Sequence, residues 1–414
     1  MKQRLAHVLG SLVPILLSLI TAPITARSLG PENRGSLVQV LALGLIVSAI
    51  GNFGLPWAAR PILESNGLAP AALKRQSIIF GLRFLPLALV GSLLVFFNMF
   101  KSTHEFLLAV AYLAVMSFSA YTGVCANHLL VSRKTASLGL VTLASSLLGF
   151  TQIIFYFFIN ELTLTTVLLT NCVIQLVNTL FLALLSKRLN TGSLNNHVFR
   201  DTKARLTTTA RSRSHPWMAS CIDVVFSRFD VLFISVVAST YFLGLYSIPG
   251  ILVGVCYSVF STTSAAGFSS SGIGSSATKL RVSVQLNMVF ALVVFASAGL
   301  LFPIALVPFF GSAFSESITL LPIAFGFSLF LCVSVPFIQH LLIRRSSIRP
   351  QLGTVMLCST LAGIAFWLSD NPYLSANILA WTLFMSNIGL ALNSQPLLFS
   401  ITSKKNYLAF MKAS

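Results

Sequence analysis

The chain has 414 residues, of which 56% are hydrophobic and 9% charged, and 27 Lys and Arg stand against 9 Asp and Glu, a formal net charge of +18. A nucleic-acid partner is excluded despite that charge, because the basic residues are spread over seven separate segments and form no single patch or arm. The apolar residues fall in twelve runs of about 20 residues, each long enough to cross a hydrocarbon core ~30 Å thick as a helix and apolar nearly all round, unlike an amphipathic helix of a soluble domain.

In chain order, run 1 (5–28) carries Pro14, Pro23 and, at its far end, Arg27. It is too long for a cleaved signal and lacks a small-x-small cleavage site, so it is expected to be a retained helix. Run 2 (36–56) leads to Arg60. Run 3 (76–100) follows Lys74 and Arg75 and contains Arg83 about two turns inside. Run 4 (105–130) holds Asn127 and His128. Run 5 (137–159) contains no charge, and run 6 (163–185) bears Asn171, Gln175 and Asn178 on one helical stripe. A polar, basic stretch over 187–216 follows. Run 7 (217–238) concentrates Asp223, Arg228 and Asp230. Run 8 (244–268) has Pro249 near its start. Runs 9 (282–302), 10 (318–343, with Pro322, Pro336, Gln339 and His340), 11 (351–368) and 12 (373–401) complete the chain.

The amino terminus, the connections after the even-numbered runs and the carboxyl terminus together hold 22 of the 27 basic residues. The opposite connections hold Arg27, Arg34 and Lys101, together with Glu32, Glu105, Glu161, Glu316 and Asp370. Basic loops stay on the cytoplasmic side, so both termini are expected there. The predicted fold class is an all-α polytopic membrane protein: about twelve transmembrane helices in two six-helix lobes around a central cavity. The expected division is a lobe over 1–186, a cytoplasmic linker over 187–216 and a lobe over 217–414. Attraction to anionic inner-leaflet lipid is a secondary consequence of the basic loops. The six cysteines all lie inside apolar runs without CxxC spacing, which points to core packing and to neither a zinc site nor a disulfide frame.

The halves echo one another weakly. Run 1 passes to run 2, and run 7 to run 8, through a short outward hairpin ending in a glycine, Gly35 or Gly244, and the two are separated by about half of the 414 residues. A six-helix repeat keeps its membrane orientation, which relates the halves by an axis along the membrane normal. The simpler reading is that any short hairpin favours glycine.

Thr25-Ala26-Arg27-Ser28-Leu29-Gly30-Pro31-Glu32-Asn33-Arg34-Gly35, then Gly54-Leu55-Pro56-Trp57-Ala58-Ala59-Arg60, resembles the opening of the bacterial polysaccharide-biosynthesis (O-antigen) flippases of the multidrug/oligosaccharidyl-lipid/polysaccharide exporter superfamily. Asp230-Val231-Leu232-Phe233-Ile234 followed by Gly244-Leu245-Tyr246 is similar to that family's helix 7 and the start of its helix 8. One departure is Asn33-Arg34, where hydrophobic or aromatic residues are commoner; it adds a positive charge to the outward turn. The resemblance implies twelve helices in two lobes and transport of a polyprenyl-pyrophosphate-linked oligosaccharide from the inner to the outer leaflet of the bacterial inner membrane. The polysaccharide polymerase machinery is an implied partner.

Ionisable groups inside a membrane cost at least ~2.5–3.5 kcal/mol at a helix centre and persist where they face water or a partner. Guanidinium groups bind phosphate oxygens with a forked pair of donors, so Arg27, Arg60, Arg83 and Arg228 are the candidate substrate-binding residues. Arg60 has a second reading as a topology charge, and Arg228 as half of an interhelical ion pair. Asp223 and Asp230, seven apart and so on one helix face, are the candidates for coupling to H+ or Na+, with Arg228 directed away from both. The stripe Asn171, Gln175 and Asn178 suits either sugar hydroxyls or hydrogen bonds between helices. Pro23, beside Arg27, is the hinge candidate, with a static kink as the other reading. His128 and His340 are the histidines placed for a proton relay.

No GxxxxGK[ST], HExxH or GxSxG motif occurs, and the outward loops are too short for a catalytic domain. An enzyme is therefore not expected, and no cofactor or metal is called for. The expected function is alternating-access flipping of the lipid-linked oligosaccharide. The rival is a multidrug or small-molecule antiporter of the same superfamily, and the excess of intramembrane arginine over aspartate favours the anionic substrate.

Overall fold

The computed structural model describes residues 2–52, 54–56, 63, 69–96, 102–132, 134–188, 221–222, 224–269, 276–344 and 349–394. The helices are α1 (Lys2–Gly51), α2 (Ala69–Phe96), α3 (Thr103–Met116), α4 (Ser119–Val131), α5 (Thr135–Phe158), α6 (Leu164–Arg188), α7 (Phe229–Val237), α8 (Thr240–Ser269), α9 (Ser276–Phe310), α10 (Leu321–Arg344), α11 (Arg349–Ser369) and α12 (Pro372–Ser394), with a 3-10 segment, Ser312–Leu320, before α10. Among the described residues every one of the twelve apolar runs lies on helix, and the chain is a polytopic all-α membrane protein. Among the described residues six helices are long and apolar enough to cross a bilayer, or seven when the bent pair α3–α4 counts as one span.

Local chemistry explains the breaks. Helix α1 contains run 1 and most of run 2, with a non-helical residue inside it at Gly30 (φ 71°, ψ 173°). That conformation is essentially closed to a residue with a Cβ. Pro31 then restarts the helix at a position where its missing N–H costs nothing. Helices α3 and α4 meet at 43°. There the Ser117 hydroxyl donates to the Ala114 carbonyl (2.7 Å), taking an acceptor that the helix ladder would otherwise use.

Contact between elements divides the chain into two compact units. One comprises Met1–Leu29 and Val40–Val224, the other Gly30–Gln39 and Val225–Ser414. Residues 30–39 thus belong with the second unit, although the helix that carries them lies mostly in the first.

In the first unit the far end of α1 is tied in by the Ser119 hydroxyl, which donates to the Ser48 carbonyl (2.8 Å), and by the Cys221 thiol on the Ala49 carbonyl (3.4 Å). Helices α2, α4 and α6 join at a polar knot. Lys74, 9% exposed, donates from Nζ to the Ser186 carbonyl oxygen (3.0 Å) in the last turn of α6, and the Ser186 hydroxyl pairs with Nδ1 of His128 (2.8 Å). A cation there completes the carbonyl end of a helix dipole.

In the second unit α10 is central. Phe330, Leu331, Cys332, Val333, Val335, Phe337 and Ile338 are all buried, which covers every face of the helix. It packs against α8, α9 and α12. By contrast α9 turns Val289, Leu292, Val293, Leu300, Leu301 and Ile304 outward, an apolar surface that a bilayer covers.

The non-glycine residues with positive φ among those described are Asn160 (57°) and Asp370 (50°). They occupy the α5–α6 and α11–α12 turns, about half a chain apart. Asn and Asp tolerate the left-handed region better than other side chains. The two turns therefore use the same backbone solution.

Candidate transport site

The polar centre of the second unit begins where run 7 breaks. Within its described part the helix running through Val224–Ser227 stops at Arg228, whose backbone (φ −131°, ψ 16°) makes it the N-cap of α7. Asp230 lies in the first turn of α7, where a carboxylate suits the amino-terminal end of the helix dipole. It is 4% exposed. The Tyr246 hydroxyl, from the second turn of α8, donates to Asp230 Oδ2 at 2.7 Å. The backbone N–H groups of Asp230 and Val231 also face this carboxylate, and Arg228 is near enough to attract it. Buried carboxylates persist only when hydrogen-bonded or paired, and here α7 and α8 together supply those partners.

This geometry corrects two details of the sequence reading. On a continuous helix Arg228 and Asp230 point apart; the break at Arg228 brings the guanidinium into electrostatic reach of Asp230. The same break interrupts the register that placed Asp223 and Asp230 on one face. Asp223 itself lies outside the described residues, as does Arg60.

The other candidates are dispersed. Arg27 is exposed on the last turn before Gly30, and Arg83 is exposed on α2. Asn171 is half-buried, and its amide donates to the Val167 carbonyl of its own helix (2.9 Å). Gln175 and Asn178 are half-buried, while hydrogen bonds from this region to other helices join Thr179 to Thr122 of α4 (3.0 Å) and the Cys172 thiol to the Leu108 carbonyl of α3 (3.7 Å). Pro23 is half-buried in helical backbone, and the break in α1 falls at Gly30 instead. His128 is held by Ser186, and the side chain of His340 lies outside the described residues.

Two features escaped the sequence reading. Arg34, taken as one more charge of an outward turn, is half-buried in the second unit, where its Nε donates to Ser247 Oγ (3.4 Å); that hydroxyl donates in turn to the Gly244 carbonyl (2.6 Å). A β-carbon added at Gly35 would overlap the Thr240 carbonyl oxygen and lie 3.0 Å from the Gly244 nitrogen, and one added at Gly244 would overlap the carbonyl oxygen of Pro31. Each of the two echoing glycines therefore lies against the other segment's backbone, Gly35 against Thr240 and Gly244 against Pro31.

No family model and no curated relative matches the chain. Solved structures do. A lipid II flippase MurJ in an inward closed conformation aligns over 98% of this chain and 95% of its own, with a TM-score of 0.59 and 12% identity. A multidrug resistance MATE family transporter of the MOP superfamily in its outward-facing conformation aligns over 96% and 95% (TM-score 0.55, 16% identity). An inward-facing MATE family transporter aligns over 99% of both chains (TM-score 0.52, 16% identity). The chain shares the fold of these transporters. These neighbours are transporters and a flippase, none of them described as an enzyme.

Proposed function

We propose that the chain is an alternating-access flippase of the bacterial inner membrane, carrying a polyprenyl-pyrophosphate-linked oligosaccharide outward for surface polysaccharide synthesis. The observation that carries this reading is the state of the charges within the spans. The Asp230 carboxylate is buried and engaged by Tyr246, whereas the Arg83 side chain is exposed on α2. Arginine in a transmembrane helix is rare and faces protein or water more often than lipid. An exposed guanidinium suits an anionic pyrophosphate, whose oxygens accept its forked donors.

The lipid tail stays in the bilayer while the headgroup crosses a polar path, and exposed guanidinium groups such as that of Arg83 meet its phosphates. Asp230 is the coupling group, loaded by H+ or Na+ in competition with Tyr246 and Arg228. The fold supports this scheme through neighbours that include a lipid II flippase, and the opening motifs add the oligosaccharide class.

The test is reconstitution. Proteoliposomes carrying a labelled polyprenyl-pyrophosphate glycan report its appearance in the opposite leaflet, and the same vesicles report uptake of cationic dyes. Glycan flipping without dye transport supports the flippase. Dye transport without glycan flipping replaces it with the antiporter.

A further inference from the structure

A 3-10 helix repeats every three residues, and the segment Ser312–Leu320 shows that period in its burial. The stripe Phe314, Ser317 and Leu320 is buried in the second unit, while Glu316 and Thr319 of the next stripe are exposed. Beside them lies a cavity of about 440 Å³. It is lined by Glu316, Thr319 and Leu320 of the segment, Phe242 and Leu245 of the first two turns of α8, and Tyr373 of the first turn of α12. The Thr319 hydroxyl donates to the Glu316 carbonyl oxygen (2.7 Å), which leaves the Glu316 carboxylate as the strong acceptor of the wall. Among the described residues no basic side chain pairs with that carboxylate.

The neighbours of the cavity fix its level in the membrane. Tyr241 of α8 and Tyr373 are 45% and 39% exposed at this end, and exposed tyrosine collects where hydrocarbon meets water. The last turns of α9, which lead into the segment, turn Leu300, Leu301, Ile304 and Phe309 outward. Acyl chains therefore reach the edge of the cavity and head groups lie beside it. The charge there is acidic although the chain is basic as a whole: Glu32, Glu316 and Asp370 stand at this end of the second unit against the half-buried Arg34.

We propose that this cavity binds an ammonium group, supplied by the head group of an aminophospholipid in the adjacent leaflet. Glu316 meets the positive charge, and the aromatic rings of Phe242 and Tyr373 add cation–π attraction. Leu245 and Leu320 form an apolar floor for the glycerol end of the lipid. An anionic head group without an amine offers Glu316 no cation and is repelled by it. The proposal rests on the membrane-spanning fold and on neither the cargo nor its coupling, so it stands or falls apart from the flippase reading.

The test is lipid retention by the purified full chain in detergent, read by native mass spectrometry with phosphatidylethanolamine and phosphatidylglycerol added in equal amounts. The parent should retain phosphatidylethanolamine in preference to phosphatidylglycerol. Glu316→Gln, a change of charge at an exposed position, should weaken that retention about fivefold, the upper range for an exposed ion pair. Asp370→Asn removes an acid at the same end but outside the cavity, and should leave retention unchanged. Displacement of the lipid by free ethanolamine at comparable concentration would keep the ammonium site and make a soluble amine its ligand. Equal retention of the two lipids by the parent, or equal preference in the parent and Glu316→Gln, would overturn the site.

Discussion

The Tyr246 hydroxyl donates a 2.7 Å hydrogen bond to Oδ2 of Asp230, tying the first turn of α7 to the second turn of α8 where both side chains are buried. Tyr246→Phe leaves a buried carboxylate short of a donor, which costs about 1–3 kcal/mol. The variant is expected to unfold at lower temperature in detergent, and a melting curve superimposing on the parent's would remove the bond from the structural account.

Asp230→Asn separates structure from coupling. The amide oxygen still accepts from Tyr246, so the thermal midpoint should fall little. The fixed charge and its ability to bind H+ or Na+ are gone, so stimulation of transport by an imposed ion gradient should vanish. Retained stimulation in Asp230→Asn proteoliposomes would show that another group is coupled.

Arg228→Ala should abolish export while leaving insertion and amount in the membrane unchanged, since Arg228 is half-buried beside the carboxylate and caps α7 without a side-chain cap bond. Immunodetection in membranes together with glycan flipping measures both. Full flipping would confine Arg228 to balancing Asp230.

Lys74→Ala tests a different joint. Its ammonium completes the carboxyl end of α6 through the Ser186 carbonyl. Losing a charged hydrogen bond there costs about 1.5–3 kcal/mol. Reduced thermal stability with unchanged orientation, read from protease protection of the basic loops, is the expected result. An inverted orientation would mean that Lys74 acts only as a topology charge.

Asn171→Ala should change transport by less than about twofold, because its amide is already satisfied by the Val167 carbonyl one turn back. A large loss with glycan substrate would bring the stripe back as a sugar contact.

Much of the fold was legible because the bilayer imposes a coarse rule. Runs of about 20 apolar residues have to be helices, since no water satisfies their backbone, and the described residues of the twelve runs lie on helix. The Gly30–Pro31 break was also written in its residues. The break at Arg228 was not: no glycine or proline marks it, and the spacing of Asp223, Arg228 and Asp230 was read on an unbroken helix. The motif Gly244-Leu245-Tyr246 stood out in sequence, but its physics required coordinates. Tyr246 holds Asp230, and Gly244 admits the backbone at Pro31. Arg34 and Lys74 were read as loop charges because charge counting carries no information on burial; one reaches Ser247 and the other Ser186.

The central claim is that exposed arginines on the spans carry an anionic lipid headgroup. Its most direct test is the flipping rate of a labelled polyprenyl-pyrophosphate glycan in proteoliposomes holding the parent, Arg27→Ala or Arg83→Ala chain. The account predicts rates reduced at least about tenfold, with partial recovery for lysine at either position, since lysine keeps the charge but loses the fork. Alanine variants that flip the glycan at the parent rate would contradict it.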